Sequence, residues 1–193
     1  MYEIIWHGRG GQGVVVASQI LAESAHIQGF HGVTSAPTFG PERRGAPLTA
    51  SNRIADEAIR TFSQIEEADV AVVLDASLLS IVRVIDSLKA GGLVLVNTPC
   101  KPADVDIPGC RRIATVDATA IALRHHLIKE GAPLVNTVLL GAFAKATGLV
   151  DMEALEKAVR GKLGAALAAT NILAMQAAFD EASVPVEARE CAA

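Results

Sequence analysis

Two clusters of residues in this 193-residue chain have types and spacings that could do chemistry. The first is a glycine run, Gly8, Gly10 and Gly13, at the spacing G-x-G-x-x-G, with Arg9, Gly11 and Gln12 between them. Glycines so placed allow a tight turn and close approach of main chain to a ligand. Where such a turn opens a helix, the first N–H groups of that helix lack partners and can hold an anion. The second cluster is FGPERRGAP, Phe39 to Pro47. Arg43 and Arg44 stay charged and present planar forks that match phosphate or carboxylate. Gly40, Pro41, Gly45 and Pro47 frame them, and Glu42 is placed to hold one guanidinium. A solvated charged turn is the plain alternative. The proline and glycine frame favours an anion or interface site, because restricted backbone loses less entropy when it binds.

The glycine run invites a nicotinamide reading that the rest of the sequence does not support. A dinucleotide site places an acidic residue about 20 positions further on, where the second strand ends. Here that strand ends near Ser35 and Ala36, and the next acid is Glu42, inside the loop. A strand-to-helix packing turn is therefore the first reading of Gly8 to Gly13, with an anion site as the second. A free-standing dinucleotide-binding oxidoreductase stays open as an alternative function.

Other polar residues have ordinary roles available. Asp75 follows an apolar run and can cap the next segment or brace the glycine loop. Asn136 reads as a helix N-cap. Gln12 faces either a ligand or a partner chain. His7 immediately precedes the glycines. His125 and His126 are adjacent, so on a helix they point in different directions and cannot form a metal pair. No nucleophile–base pair is visible, so no catalytic residue and no metal ligand is assigned.

These residues must be positioned by an alternation of strands and helices. Tyr2–Trp6, Val33–Ala36, Leu48–Ile54, Val70–Leu74, Leu93–Val96 and Ile113–Val116 read as strands, and 37–47 as a breaker-rich loop. Val14–Gln28, Ser77–Leu88, Ala118–Lys129, Val135–Thr147, Met152–Arg160 and Ala165–Ala182 read as helices, with Asp151 as an N-cap. Continuous apolar strands alternating with helices predict an α/β fold: three layers, a mostly parallel sheet and a C-terminal helical subdomain. The expected organisation is one domain over 1–193, with an α/β core to 133, a helical part over 134–182 and a polar tail over 183–193.

Composition narrows the function further. Hydrophobic residues make up 51% and aromatic residues 4%, so the core is built of small aliphatics. The net charge of -4 carries no electrostatic footprint for nucleic acid. No uninterrupted apolar run reaches the roughly 18 residues of a membrane helix, and no leader pattern is seen, so a cytoplasmic protein is expected. Cys100, Cys110 and Cys191 are scattered without C-x-x-C and read as free thiols rather than cluster ligands.

GRGGQG, the VVVASQILAESA that follows it and FGPERRGAP together resemble the gamma subunit of the 2-oxoacid:acceptor oxidoreductases, the pyruvate:ferredoxin type. AVVLDASLL, LVLVN, VDATAIA and NTVLLGAFAKATG extend the resemblance through most of the chain in order. It implies a subunit of an enzyme that decarboxylates a 2-oxoacid on thiamine diphosphate, passes two electrons through 4Fe–4S clusters and releases acyl-CoA and CO2. The implied partners are thiamine-diphosphate-binding alpha and beta subunits and a ferredoxin-like iron–sulfur subunit. Thiamine diphosphate, Mg and the clusters are expected on those partners. This chain is expected to be non-catalytic and to help enclose coenzyme A. Single-chain relatives carry a lysine pair beside the coenzyme's phosphates where this chain has Arg43 and Arg44, so the resemblance implies that these two bind CoA. Gly8, Arg9, Gly10, Gly11, Gln12 and Gly13 are its ligand-facing or interface loop. A scaffold subunit with no ligand contact is a further alternative.

Overall fold

In the computed structural model, residues 1–37, 45–61, 63–110 and 112–185 are described. The expectations placed on Arg43, Arg44, Glu42 and Cys191 fall outside them. The elements run β1 (Tyr2–Arg9), α1 (Val14–Gln28), β2 (Gly32–Pro37), β3 (Pro47–Ala55), β4 (Ala68–Val73), β5 (Leu88–Asn97), β6 (Arg112–Val116) and α2 (Ala118–Arg124). A short hairpin of β7 (Ile128–Lys129) and β8 (Ala132–Pro133) follows. The last elements are α3 (Asn136–Thr147) and α4 (Met152–Glu181).

Six strands form one sheet in the order β2-β3-β1-β4-β5-β6. β1, β4, β5 and β6 are mutually parallel, while β3 runs antiparallel between β1 and β2. The strand–helix–strand unit β1-α1-β2 is therefore split by an inserted strand. From β1 the chain crosses one face of the sheet and moves towards the β2 edge. From β4 it crosses the other face and moves towards β6. The reversal lies between β1 and β4, and α/β folds bind ligands outside the strand ends at such a point.

The two faces of the sheet are filled differently. Ile4, Trp6, Val70, Val72, Leu95 and Ala114 face α1, α2, α3 and α4 in one continuous core. The Trp6 and Phe143 rings pack with centroids 5.9 Å apart. Trp6 Nε1 donates to Asn52 Oδ1 at 2.9 Å, and Asn52 Nδ2 donates to the carbonyls of Ser18 and Thr34, so this buried polar group has its partners. The opposite face carries a smaller cluster of Ala71, Val73, Val94, Val96 and Ile113 under Leu78, Val84 and Ile107.

That thin layer corrects the expectation of a helix over Ser77–Leu88. Two 3-10 segments, Ala76–Ser80 and Val84–Ser87, stand there instead. Ser80 and Ser87 hydroxyls donate to the carbonyls of Ser77 and Val84, three residues back, and β-branched Ile81, Val82, Val84 and Ile85 weaken the helix further. A second correction concerns Ala118–Lys129. The helix ends at Arg124, and His126 adopts a left-handed φ of 56°. The Leu127 amide donates to the Ala122 carbonyl and the His126 amide to that of Leu123, a helix stop usually built on glycine. Met152–Arg160 and Ala165–Ala182 are parts of one element, α4, interrupted at Gly164, where φ is 72° and ψ is 163°. Asp151 caps it, accepting from Ala154 N at 2.7 Å, as expected.

Helices α3 and α4 approach closely because residue 141 is glycine. A Cβ there would lie 1.9 Å from the Met175 carbonyl oxygen. Among the described residues α4 is the one helix long and apolar enough, by length and composition, to cross a membrane. Its Leu155, Val159, Ile172 and Met175 are part of the core shared with α1 and α3.

Candidate functional site

The glycine loop lies at the carboxyl end of β1, at the sheet's reversal point, and most of its side-chain chemistry is spent on its own structure. Arg9 Nε donates to Asp75 Oδ2 at 2.8 Å, Nη2 to Ser77 Oγ at 2.8 Å and Nη1 to the Gly45 carbonyl at 3.1 Å. Gln12 Oε1 accepts from the Arg9 amide at 2.7 Å. The Gln12 side chain therefore turns back onto the loop rather than standing free for a ligand or a partner chain. Asp75 performs both roles foreseen for it, accepting from the amide and hydroxyl of Ser77 and from Arg9. Burial alone would push the Asp75 carboxyl up. The hydrogen bonds from Ser77 and Arg9, with the positive charge of Arg9, outweigh that and hold it below its ordinary value.

What the loop leaves open is main chain. Gly13 precedes α1 in a left-handed conformation, φ 78°, and among the described residues no side chain caps the helix. Gly8 has no room for a side chain, since a Cβ would lie 2.4 Å from Val14 Cγ2. Two further bonds tie the loop to the start of β3: Gly10 N donates to the Ala46 carbonyl at 2.9 Å, and Gly45 N to the Gly10 carbonyl at 3.1 Å.

A cleft of about 1070 Å³ opens over this loop. Gly10 to Val16 form one wall. Ala46 to Thr49 form a second, and Leu74 to Ala76, Asn97, Thr119, Lys129, Glu130 and Ala132 to Val135 complete the lining. Asn97 braces this lining, donating to the Leu74 carbonyl at 2.9 Å and to Thr119 Oγ1 at 3.0 Å. Such a volume takes a ligand of cofactor size.

Asn136 departs from its expected role. Val135 stands at the N-cap of α3, and Asn136 is the first helical residue. Its Nδ2 donates to the Gly13 carbonyl at 3.4 Å, and a Cβ on Gly13 would lie 2.5 Å from that nitrogen. A second surprise is His7. It is 5% exposed, neither ring nitrogen has a hydrogen-bond partner among the described residues, and burial lowers its pKa to about 4. It faces away from Trp6, beside Val73 of β4 and Thr49 of β3. Sequence reasoning missed Lys129 in the cleft lining. The available signal was the Glu130-Gly131 pair, a two-residue hairpin turn. His125 is half-buried and His126 exposed.

The sequence signature of the pyruvate ferredoxin/flavodoxin oxidoreductases matches residues 3–181. This chain belongs to that family. Within the pyruvate ferredoxin/flavodoxin oxidoreductase family it is a gamma-type chain. It is 48% identical over 189 residues to the pyruvate/ketoisovalerate oxidoreductases common subunit gamma of Thermococcus kodakarensis, a match covering 95% of this chain and 98% of the relative. It is 46% identical over 168 residues to the pyruvate synthase subunit PorC of Methanothermobacter marburgensis, covering 85% of this chain and 90% of that one. Its fold matches the crystal structure of a pyruvate oxidoreductase subunit from Thermotoga maritima with a TM-score of 0.80 and 40% identity, over 96% of this chain and 98% of that chain. The dinucleotide expectation has an architectural obstacle as well. In the dinucleotide-binding fold the second strand lies next to the first, whereas here β3 separates them.

Proposed function

We propose that this chain is the gamma subunit of a multi-subunit 2-oxoacid oxidoreductase that decarboxylates its substrate oxidatively to acyl-CoA and CO2. Thiamine diphosphate, Mg and iron–sulfur clusters belong to alpha, beta and ferredoxin-like partner subunits in the cytoplasm. The observation that carries this reading is the end-to-end match to gamma subunits, 95% of this chain against 98% of one relative. No step of the chemistry needs a catalytic residue of this chain. Its contribution is a wall that holds the acyl acceptor and keeps water from the reacting centre.

The cleft supports a role in enclosing CoA. Its volume suits a nucleotide-bearing thiol, and its glycine wall offers main-chain donors beside an uncapped helix start. Arg43 and Arg44 are the proposed phosphate ligands. Support comes from their neighbour in the chain, Gly45, which is bonded to both Gly10 and Arg9. The wider loop Gly8, Arg9, Gly10, Gly11, Gln12 and Gly13 supplies main chain to the ligand or to a partner surface, with Arg9 and Gln12 as its internal braces.

The test is an Arg43→Ala/Arg44→Ala variant in the complex purified with its native partners. The CoA role requires a raised KM for CoA with assembly intact. Two charge-assisted contacts correspond to about 2–4 kcal/mol. An unchanged KM would reduce the proposal to a scaffold role. Turnover of NAD by the isolated chain would replace it with the dinucleotide reading.

A further inference from the structure

The cleft lining holds a lysine that the family signature motifs do not include. Lys129 ends β7 and lines the same cleft as the glycine loop. Among the described residues of that lining it is the one positively charged side chain. The other charged residues there are Asp75 and Glu130. Arg9 is not available for a ligand, because its guanidinium is committed to Asp75, Ser77 and Gly45. Lys129 is exposed, and no hydrogen bond or ion pair holds its ammonium among the described residues.

The backbone beneath Lys129 is fixed although its side chain is not. Lys129 pairs with Ala132 and Ile128 with Pro133, across a turn in which both Glu130 (φ 51°) and Gly131 (φ 80°) are left-handed. Two left-handed residues in a row match the twist of a tight hairpin. The Leu134 amide closes its base on the Leu127 carbonyl at 2.8 Å, and the left-handed His126 sets its entry. A short two-strand hairpin thus carries, among the described residues, an uncommitted ammonium in the lining of a cofactor-sized cleft. A flexible, point-like cation suits a phosphate that arrives with the ligand better than it suits a fixed partner within the chain.

We infer that Lys129 is a positioning residue for the phosphate-bearing part of the acyl acceptor, gripping it from the β7–β8 hairpin. This inference rests on the proposed CoA reading and extends it to a residue outside the two sequence motifs. It makes the β7–β8 hairpin part of the binding wall rather than a connector between α2 and α3.

The experiment uses the assembled complex with Lys129→Ala, Lys129→Met and Lys129→Arg variants, alongside Arg43→Ala/Arg44→Ala. CoA and pantetheine, an acceptor without phosphates, are compared. The expected result is a KM for CoA raised about tenfold by Lys129→Ala and Lys129→Met, the loss of one charged contact. Lys129→Arg should restore most of it, and the penalty should be absent with pantetheine. An unchanged KM for CoA in the Lys129 variants overturns the inference. If Arg43→Ala/Arg44→Ala still raises that KM, the CoA reading survives alone. If neither variant moves it, both fall. Equal penalties with CoA and pantetheine, or failure of both neutral variants to assemble, give Lys129 a structural role and also overturn the inference.

Discussion

Arg9 Nε and Asp75 Oδ2 stand 2.8 Å apart, joining the glycine loop after β1 to the turn after β4 across the reversal point of the sheet. Both side chains are about one-quarter exposed, so solvent screens the pair only in part. A double-mutant cycle of Arg9→Ala and Asp75→Ala at pH 7 should give a coupling of about 1 kcal/mol in chemical denaturation. The folded-state carboxyl lies below its ordinary value, so this contribution is present above about pH 4 and is lost as pH falls through the folded value. The coupling should shrink at pH 3. A coupling that does not change between pH 7 and pH 3 would contradict the ion pair.

His7 governs a different pH range. Its folded pKa of about 4 lies below the ordinary 6.5, so the unfolded chain binds the proton more readily. Stability should therefore fall as pH drops from 6.5 towards 4, by about 3 kcal/mol from this residue. His7→Leu removes the proton site and the two unpartnered nitrogens together. Denaturation curves of His7→Leu should lose that slope and show no loss of stability at pH 7.

Gly13 and Asn136 should behave as a coupled pair. Gly13→Ala forces a side chain into a left-handed backbone and against the Asn136 amide, for a loss of about 1–3 kcal/mol. Adding Asn136→Ala relieves the contact but not the backbone strain. The double variant should therefore be less destabilised than the sum of the single changes, as read from thermal melts.

Gly141→Ala tests how α3 meets α4. Its Cβ would sit 1.9 Å from the Met175 carbonyl oxygen, a rigid backbone atom, so the helices must separate. The expected effect is a loss of about 1–3 kcal/mol and a lower Tm. Gly161→Ala, whose added Cβ would meet nothing within 4 Å beyond its own helix, is the control and should hold or raise Tm.

The strands were legible because their apolar runs are continuous, as in Val70–Leu74 and Leu93–Val96, and burial on both faces leaves that pattern. The segment after β4 was misread because helical spacing of apolar residues says nothing about serine hydroxyls competing for backbone carbonyls. The early end of α2 was hidden because a histidine occupies a left-handed position that glycine normally marks. Of the site, the glycine turn was visible in the sequence. The commitments of Arg9 and Asn136 were not, because each depends on partners brought by distant segments, and that of Gln12 was not, because it depends on the exact fold of the turn.

One consequence follows from the antiparallel insertion of β3. It returns the chain at Pro47 to the same end of the sheet where β1 finishes, and two main-chain hydrogen bonds then join Gly10 to Gly45 and Ala46. Both segments line the one cleft, so a ligand there meets a single bonded surface rather than two independent loops.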